Sequence, residues 1–295
     1  MSQRDETLGL FYGFLGVAAF SLTLPATRLA VADLDPIVVA LGRCVVAAVP
    51  AALLLFAARA PRPARADLKP LALVIAGVIV GFPVLTAIAM RHVPATHGAI
   101  VLGVLPLATA LAAAIRGGER PSAGFWVAAI AGSALVVAYA LWQGAGSLHL
   151  ADLALLGAVA LGSLGYAEGG RLARTMGSWQ VICWALVLTL PLLVPPLAWS
   201  IAKHGLTASP AAWSGFAYVA LVSQFLGFFP WYKGLAIGGV ARVGQLQLLQ
   251  PFLTLVASWA FLGEQLTLGT LAFAAAVVAT VAIGRRMPVG KPAAR

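Results

Sequence analysis

Two stretches of the chain decide its fold: PLATALAAAIRGGERPSAG at residues 106–124 and PFLTLVASWAFLGEQLTLG at residues 251–269. An offset of 145 residues aligns them, and matches of Ala and Leu carry little weight in so apolar a sequence. A slightly different offset of 143 aligns Arg28-Leu29-Ala30 with Arg171-Leu172-Ala173. The chain therefore contains an internal repeat. Its informative matches involve rarer residues: Pro106 with Pro251, Thr109 with Thr254, Gly118-Glu119 with Gly263-Glu264, Ser122 with Thr267, and Gly124 with Gly269.

The composition is that of a membrane protein. The 295 residues are 61% hydrophobic and only 9% charged, with a mean hydropathy of +0.97. A soluble domain has about 25% charged residues, so this chain lacks the polar groups to cover a water-facing surface. The formal net charge of +10 comes mostly from short gaps between apolar runs, which indicates membrane orientation rather than nucleic-acid binding. Cys44 and Cys183 lie inside apolar runs and support neither a disulfide framework nor a metal site.

Long apolar runs divide the sequence into predicted membrane spans. A transmembrane helix needs about 20 mostly apolar residues, and ten such runs are present. The predicted fold class is therefore an all-α membrane protein with no soluble domain. The ten predicted transmembrane helices are 8–28, 36–58, 71–90, 95–115, 124–142, 152–171, 179–200, 212–233, 241–261 and 267–284.

The basic residues predict how these spans are oriented. Ten spans put both termini on one side, and a cytoplasmic placement leaves 15 of the 19 basic residues in the cytoplasm. The opposite side holds only Arg28, Arg91 and Lys203, while Arg43 lies within a span. This asymmetry follows the positive-inside rule, so cytoplasmic N- and C-termini are predicted.

Each copy of the repeat contains five spans, at residues 8–142 and 152–284. Because five is an odd number, the second copy enters the membrane from the opposite side. The charges agree, since the loop of Glu119 carries two basic residues and the loop of Glu264 carries none. A 5+5 inverted-topology repeat is a construction of secondary transporters, in which two mirrored halves rock about a central site.

The two copies of P-x-x-T followed by G-E, each at the junction of a fourth and fifth span, resemble the drug/metabolite transporter superfamily, EamA-type. The resemblance covers nearly the whole chain, and residues 251–269 are the more typical copy. Within the superfamily the chain is most similar to the YddG aromatic amino acid exporters. The resemblance implies export of amino acids, aromatic or otherwise apolar and neutral, or of similar small metabolites, by alternating access. Another metabolite or a drug-like compound is the alternative substrate.

The same resemblance sets further expectations. It implies a transporter in the bacterial inner membrane, not an enzyme, with no cofactor, no catalytic residue and no metal. We expect a monomer whose partners are a small-molecule substrate and the lipid bilayer. The residues agree, because no H-E-x-x-H, no G-x-S-x-G and no suggestive Cys–His pair is present. A channel is the other alternative, but the inverted repeat favours alternating access over a pore built from repeated rings.

Matched helix interruptions in the two halves indicate a transport site, and Pro106 and Pro251 are such a pair. A helical proline removes a backbone hydrogen bond and leaves the carbonyl four residues earlier without a partner. These carbonyls belong to Leu102 and Gln247. An unpaired carbonyl at membrane depth needs a partner or a wet cavity, so both prolines are predicted helix breaks that line a cavity. A packed kink is the alternative.

The ninth span carries a polar stripe, because four polar residues fall within about 80° of helical arc. Polar side chains at membrane depth usually face the bundle interior. Two glutamines on one face favour a substrate cavity, and interhelical hydrogen bonding is the alternative. The stripe consists of Gln247, Gln250, Thr254 and Ser258.

Other spans supply further candidates for substrate binding. Small neighbours such as Gly16 and Gly227 could admit a ligand or a neighbouring helix, and buried aromatic residues are often simply core. The candidates are Tyr12 and Thr23 in the first span, Phe82 in the third, Tyr166 in the sixth, and Gln224 and Trp231 in the eighth.

Few ionisable groups fall inside the spans. Arg43 is expected to snorkel to the outer surface, and Glu168 to pair with Arg171. His97 starts the fourth span and is the one candidate for a pH-sensitive substrate-binding group, with a satisfied interfacial histidine as the alternative. No carboxylate is expected at mid-depth, so transport is predicted to be uncoupled or weakly coupled. No basic residue is expected there either, which argues against strongly charged substrates such as nucleotide-sugars.

Overall fold

The computed structural model describes residues 3–93, 95–142, 150–254 and 268–290, which form helices and one short strand pair. Strands β1 (Arg120–Pro121) and β2 (Val289–Gly290) pair antiparallel. The helices are α1 (Gln3–Ser21), α2 (Thr23–Asp33), α3 (Pro36–Ala57), α4 (Arg65–Val74), α5 (Phe82–His92), α6 (Ala95–Leu102), α7 (Leu105–Gly117), α8 (Ala123–Trp142), α9 (Ala151–Leu172), α10 (Ser178–His204), α11 (Pro210–Ala217), α12 (Phe228–Gly238), α13 (Val240–Gly244) and α14 (Leu268–Arg286).

Within the described residues, six helical segments are long and apolar enough to cross a membrane. They are Arg4–Asp33, Pro36–Ala57, Arg65–His92, Ala151–Leu172, Ser178–His204 and Pro210–Gly238. Three shorter apolar helices coincide with predicted spans: Leu105–Arg116, Ala123–Tyr139 and Leu271–Gly284. The predicted fourth span consists of two helices, α6 and α7, and the predicted ninth span is described only to residue 254. The count of ten spans and the side of the termini stay predictions.

The distribution of side chains is inverted relative to a water-soluble protein. The outer surface carries large apolar side chains, while hydroxyl, amide and charged side chains lie in the interior. In lipid such a surface costs nothing, whereas every interior polar group needs a partner or a cavity. This pattern, with six apolar spans, is that of a multi-pass membrane protein. Examples of exposed side chains are Leu53 at 65%, Phe56 at 86%, Ile115 at 72%, Val127 at 68% and Leu192 at 65%.

Helix irregularities recur at related positions in the two halves. A π-helical segment, Ile75–Gly81, lies between α4 and α5, and a second, Tyr218–Leu226, lies between α11 and α12. An offset of 145 residues carries the first into the second. The same offset carries the break between α6 and α7, at residues 103–104, onto the end of the 3-10 segment Gln245–Leu249. π-helical turns inside α-helices often mark functional sites.

The first span is broken once, at Leu22, where φ is −93° and ψ is 4°. The break separates α1 from α2 and leaves the carbonyls of the preceding turn without their helical partners. Its counterpart in the repeat, α9, runs without interruption from Ala151 to Leu172. The two halves therefore differ at this position, and the first half alone presents free backbone groups there.

Helices α1 and α12 cross at unusually short range through glycines. A Cβ on Gly9 would lie 2.6 Å from the backbone of Gly238, and one on Gly234 would lie 2.6 Å from the backbone nitrogen of Gly13. Each helix thus contributes a G-x-x-x-G pair, the small-residue pattern that lets helix backbones meet in a membrane. Gly16 also serves packing, because it accommodates the backbone of Trp231.

The G-E motif has a structural role in the first half. Gly118 adopts φ 65° just after α7, a left-handed conformation that suits glycine and ends a helix. The turn directs Glu119 to the start of α13, where its two carboxylate oxygens accept hydrogen bonds from the backbone nitrogens of Val240 and Ala241, each at 2.9 Å. An acidic group at a helix N-terminus satisfies free N–H groups and favours the helix dipole. The matching Gly263-Glu264 and Ser258 lie outside the described residues.

The predicted pairing of Glu168 with Arg171 is confirmed, with Arg171 Nη2 2.9 Å from Glu168 Oε2. A second partner was not expected: Arg116 Nε donates to Glu168 Oε1 at 2.8 Å. The Glu168 side chain is 1% exposed, while both arginines are about 45% exposed. The carboxylate therefore joins α7 to α9, with its charge balanced at the rim of the interior.

Candidate functional site

A central cavity lies among α1, α2, α3, α9 and the two π-helical segments. It encloses about 420 Å³ of space between atoms, including the part that opens to solvent. Val78 and Gln224 lie near the middle of their spans, Arg65–His92 and Pro210–Gly238, so the cavity sits near mid-depth. Its walls are formed by Phe20, Thr23, Leu24, Arg43, Val78, Phe82, Leu102, Leu105, Tyr166, Ser223, Gln224, Phe228 and Gln250.

The two π-helical segments meet across this cavity. Gln224 Nε2 donates a hydrogen bond of 3.1 Å to the carbonyl oxygen of Val78. Because a carbonyl only accepts, the amide nitrogen must face Val78, and this leaves Gln224 Oε1 directed elsewhere. That oxygen is buried and has no hydrogen-bond partner within the described chain. The wall thus presents an unused acceptor.

A line of polar side chains crosses the same wall. Arg43 Nη2 donates to Ser223 Oγ at 3.1 Å, and Ser223 Oγ lies 2.9 Å from Thr23 Oγ1. Because Ser223 accepts from the guanidinium, its own hydrogen can be donated to Thr23. The line links α3, the segment Tyr218–Leu226 and the first residue after the break in the first span.

The expectation that Arg43 snorkels to the outer surface is wrong. Its side chain is 3% exposed and lines the central cavity. The reason is packing, because α3 places this face against α5 and Tyr218–Leu226, where Ser223 supplies a hydrogen-bond acceptor. The expectation that no basic residue reaches the candidate site is corrected with it.

Aromatic rings form another part of the wall. Phe20 and Tyr166 stack with centroids 6.4 Å apart, and Phe228 lies 5.0 Å from Phe20 and 6.2 Å from Tyr166. Trp231 is fully buried behind them and meets Tyr166 edge to face at 5.4 Å. Such clusters offer a large apolar surface held in fixed geometry. The lining of the cavity therefore combines aromatic surface with polar groups.

A second cavity adjoins the first and shares four lining residues with it. It encloses about 400 Å³, again including space open to solvent. Gln247 lines it, and both its amide atoms are buried without a partner within the described chain. Gln250 lines both cavities and forms part of the boundary between them. The lining residues are Ser21, Leu24, Pro25, Ala95, Leu102, Leu105, Gln247, Gln250, Pro251 and Thr254.

The polar stripe of the ninth span faces the break in the first span. Gln250 Nε2 donates to the carbonyl of Phe20 at 3.2 Å, and Thr254 Oγ1 donates to the carbonyl of Ser21. These are carbonyls that the break at Leu22 leaves free. The side chains of the stripe therefore both bond a neighbouring helix and line the cavities, and their role in substrate binding stays a prediction.

Several predicted site residues lie elsewhere. Tyr12 lines neither cavity, because its hydroxyl accepts from Lys233 Nζ at 2.9 Å and its ring is covered by the same ammonium at 4.1 Å. Trp231 stands behind Tyr166 rather than on the cavity surface. Pro106 follows the break at residues 103–104 at the first turn of α7 and lines neither cavity, whereas Pro251 lines the second.

The remaining predicted residues divide as follows. Thr23, Phe82, Tyr166 and Gln224 line the central cavity, Gln247 and Thr254 line the second, and Gln250 lines both. His97 belongs to α6, but the position of its side chain lies outside what the structure describes.

Four further residues line the central cavity and were not predicted from the sequence: Arg43, Ser223, Phe20 and Phe228. A usable signal existed for Arg43, the only basic residue well inside a predicted span. Ser223 precedes Gln224, and in a regular α-helix neighbours lie about 100° apart. Here the π-helical turn brings both into one cavity wall. No pattern distinguished Phe20 or Phe228 from core phenylalanines.

These features define a class of protein, a polytopic membrane protein whose spans surround a mid-depth cavity and carry matched interruptions. The chain belongs to the EamA-like transporter family, which matches it twice, over residues 7–140 and 149–284. It is therefore a transporter of the drug/metabolite transporter superfamily.

Two bacterial relatives extend almost the full length of the chain. The "Uncharacterized transporter YdeK" of Bacillus subtilis (strain 168) is 48% identical over 289 residues, which cover 96% of this chain and 99% of the relative. The "Probable terminal-alkyne amino-acid exporter" of Streptantibioticus cattleyicolor is 30% identical, covering 85% of this chain and 84% of its own. A solved crystal structure superposes with a TM-score of 0.76 over 94% of this chain and 98% of its own, at 18% identity, which shows a shared fold.

Proposed function

We propose that this protein exports amino acids with aromatic or other apolar, neutral side chains across the bacterial inner membrane. The observation that carries the proposal is the central cavity, whose lining combines the aromatic rings of Phe20, Tyr166 and Phe228 with the polar groups of Ser223 and Gln224. A pocket lined by both apolar and polar groups suits an amphiphilic molecule. The relative named as a probable amino-acid exporter supports the same substrate class.

The mechanism we propose is alternating access of two five-span halves, residues 8–142 and 152–284, inverted relative to one another. The double family match and the recurrence of π-helical segments 145 residues apart support it. The break at Leu22 and the 3-10 segment Gln245–Leu249 supply the places where helices can bend. The cavity lies between them, so opening to either side needs only a rotation of one half against the other.

The proposed transport is uncoupled. No Asp or Glu lines either described cavity, and proton- or sodium-coupled carriers usually place a carboxylate there. The substrate would then move down its own gradient. Accumulation of substrate against its gradient, driven by a pH difference alone in sealed proteoliposomes, would contradict this part of the proposal.

Counterflow in proteoliposomes tests the function itself. Vesicles loaded with one unlabelled amino acid are expected to take up the same radiolabelled amino acid transiently, with saturation, for phenylalanine, tryptophan or leucine. A carrier that alternates between two faces must show this exchange, whereas a channel does not. Failure of all three, with lysine and glutamate also inactive, would rule out the amino-acid proposal.

Gln250→Ala and Thr254→Ala are each expected to lower the exchange rate about three- to tenfold, the effect of losing one hydrogen bond. Both side chains hold the carbonyls freed by the break in the first span and line a cavity. Thr280→Ala is the matched control, because among the described residues its hydroxyl donates to the carbonyl of Val277 in its own helix, and it lines neither cavity. Unchanged exchange in both test variants would remove the stripe from the transport path.

A further inference from the structure

The charge of Arg43 is unbalanced inside the protein. Its guanidinium is 3% exposed, and no carboxylate oxygen of the described residues lies within 4.0 Å of it. Its described side-chain partner is the neutral hydroxyl of Ser223, while Nε is buried without any partner there. A guanidinium carries five N–H donors, so most of its capacity is unused.

Such a charge is costly and needs a reason. A buried cation without a counter-ion is strongly disfavoured, and intramembrane ionisable groups face a cavity or a partner. Two buried carboxylates follow this rule: Glu168 pairs with two arginines, and Glu119 accepts from two backbone nitrogens and lies 3.6 Å from Arg174. Arg43 instead lines the central cavity. The missing negative charge is therefore one that a ligand in this cavity can bring.

We infer that Arg43 is the binding residue for the carboxylate of the transported molecule. The planar guanidinium matches a carboxylate in a two-bond geometry, and its single positive charge balances a single negative one. The inference rests on the proposed function and adds to it the chemical group by which substrate is recognised.

The remaining walls fit the rest of an amino acid. Gln224 Oε1, an acceptor without a partner, is placed to receive an N–H of the substrate's ammonium group. Phe20, Tyr166 and Phe228 cover the side on which an apolar side chain would lie. The neutral amide oxygen of Gln224 accepts from the ammonium group without a formal charge, while the aromatic rings lie beside the apolar side chain. The cavity therefore distinguishes the two ends of its ligand.

Three probes that each carry a phenyl ring distinguish the contribution of the carboxylate to binding from that of the ammonium group. They are L-phenylalanine, 3-phenylpropionate, which lacks the ammonium group, and 2-phenylethylamine, which lacks the carboxylate. Binding is measured on the purified full-length protein as the rise in Tm with probe concentration, a readout that does not require transport. The wild-type protein is expected to be stabilised by both carboxylates and far less by the amine.

Arg43→Gln is expected to raise the half-saturating concentration of both carboxylates by about tenfold or more, the effect of losing a charged hydrogen bond. In Arg43→Lys the half-saturating concentration is expected to lie between those of the wild-type protein and Arg43→Gln, because lysine keeps the charge but lacks the planar guanidinium. The response to 2-phenylethylamine should not change. Arg242→Gln is the matched control, since that largely buried arginine pairs with Glu6 and lines neither cavity.

The outcomes are distinct. Amino-acid counterflow and carboxylate binding that persist unchanged in Arg43→Gln would overturn the inference and leave the proposed function standing. Carboxylate binding that depends on Arg43, without counterflow of any amino acid, would support the inference and remove the proposed function. The inference is also overturned where the wild-type protein binds 2-phenylethylamine as well as L-phenylalanine, or binds none of the three probes.

Discussion

Replacing both Arg116 and Arg171 with glutamine is expected to destabilise the folded protein by about 3–5 kcal/mol, the usual effect of leaving a buried charge without its partner. The two arginines hold the carboxylate of Glu168, whose side chain is 1% exposed. Removing the carboxylate instead leaves two arginines that are about 45% exposed and can be solvated. The loss of folding stability should therefore be much larger in the double arginine variant than in Glu168→Gln.

Thermal unfolding in detergent and equilibrium unfolding in mixed micelles measure this difference. The triple variant, with Glu168→Gln added to the two arginine changes, should recover most of the stability because a neutral amide replaces the stranded charge. The matched control is the double variant Arg62→Gln with Arg65→Gln. These two arginines are exposed on the same predicted cytoplasmic side, and replacing them removes the same amount of charge. A triple variant no more stable than the double would show that Glu168 is not the origin of the effect.

Gly234→Ala is expected to destabilise the protein by about 3 kcal/mol, at the upper end of the range for added volume in a packed interior. The new Cβ would lie 2.6 Å from the backbone nitrogen of Gly13 and 2.8 Å from the carbonyl oxygen of Gly9. Backbone cannot rotate away as a flexible side chain can, so helices α1 and α12 must separate. Part of the aromatic cluster lies on these helices, and substrate exchange should fall as well.

The Tm of the purified protein and its elution profile on size exclusion report the effect. Gly284→Ala is the matched control, because its Cβ would meet only the Cβ of Ala128 at 3.4 Å, an ordinary contact. Alanine also favours a helix over glycine, so this variant should be as stable as the wild-type protein or more so. Equal Tm values for Gly234→Ala and the wild-type protein would refute the close crossing of α1 and α12.

Much of the fold followed from local properties of the chain. The positions of the spans, the membrane class, the internal repeat and the family depend on runs of apolar residues and on rare residues at fixed spacing. The observed segment Pro36–Ala57 differs from the predicted 36–58 by one residue at one end, and Ala151–Leu172 differs from 152–171 by one residue at each end. Helix breaks were harder to locate, because each proline stands after the break it marks: Pro106 follows the break at residues 103–104, and Pro25 follows the break at Leu22.

The candidate site was predicted only in part, because the sequence shows local properties such as helical periodicity and not tertiary contacts. A helical period shows which residues share a face, so Gln247, Gln250 and Thr254 were grouped correctly. It does not show what that face meets, and the carbonyls of Phe20 and Ser21 were found only in the folded protein.

The amino-acid sequence alone established that this protein is a membrane transporter with an internal repeat, because lipid solvation demands long apolar runs and such runs are visible in one dimension. The tertiary structure alone decided the direction of Arg43, the partners of Glu168 and Glu119, and the orientation of the two π-helical segments toward each other. The physical reason is that a polar group in a membrane is satisfied by whichever helix packs against it. That neighbour is distant in sequence: Ser223 lies 180 residues from Arg43.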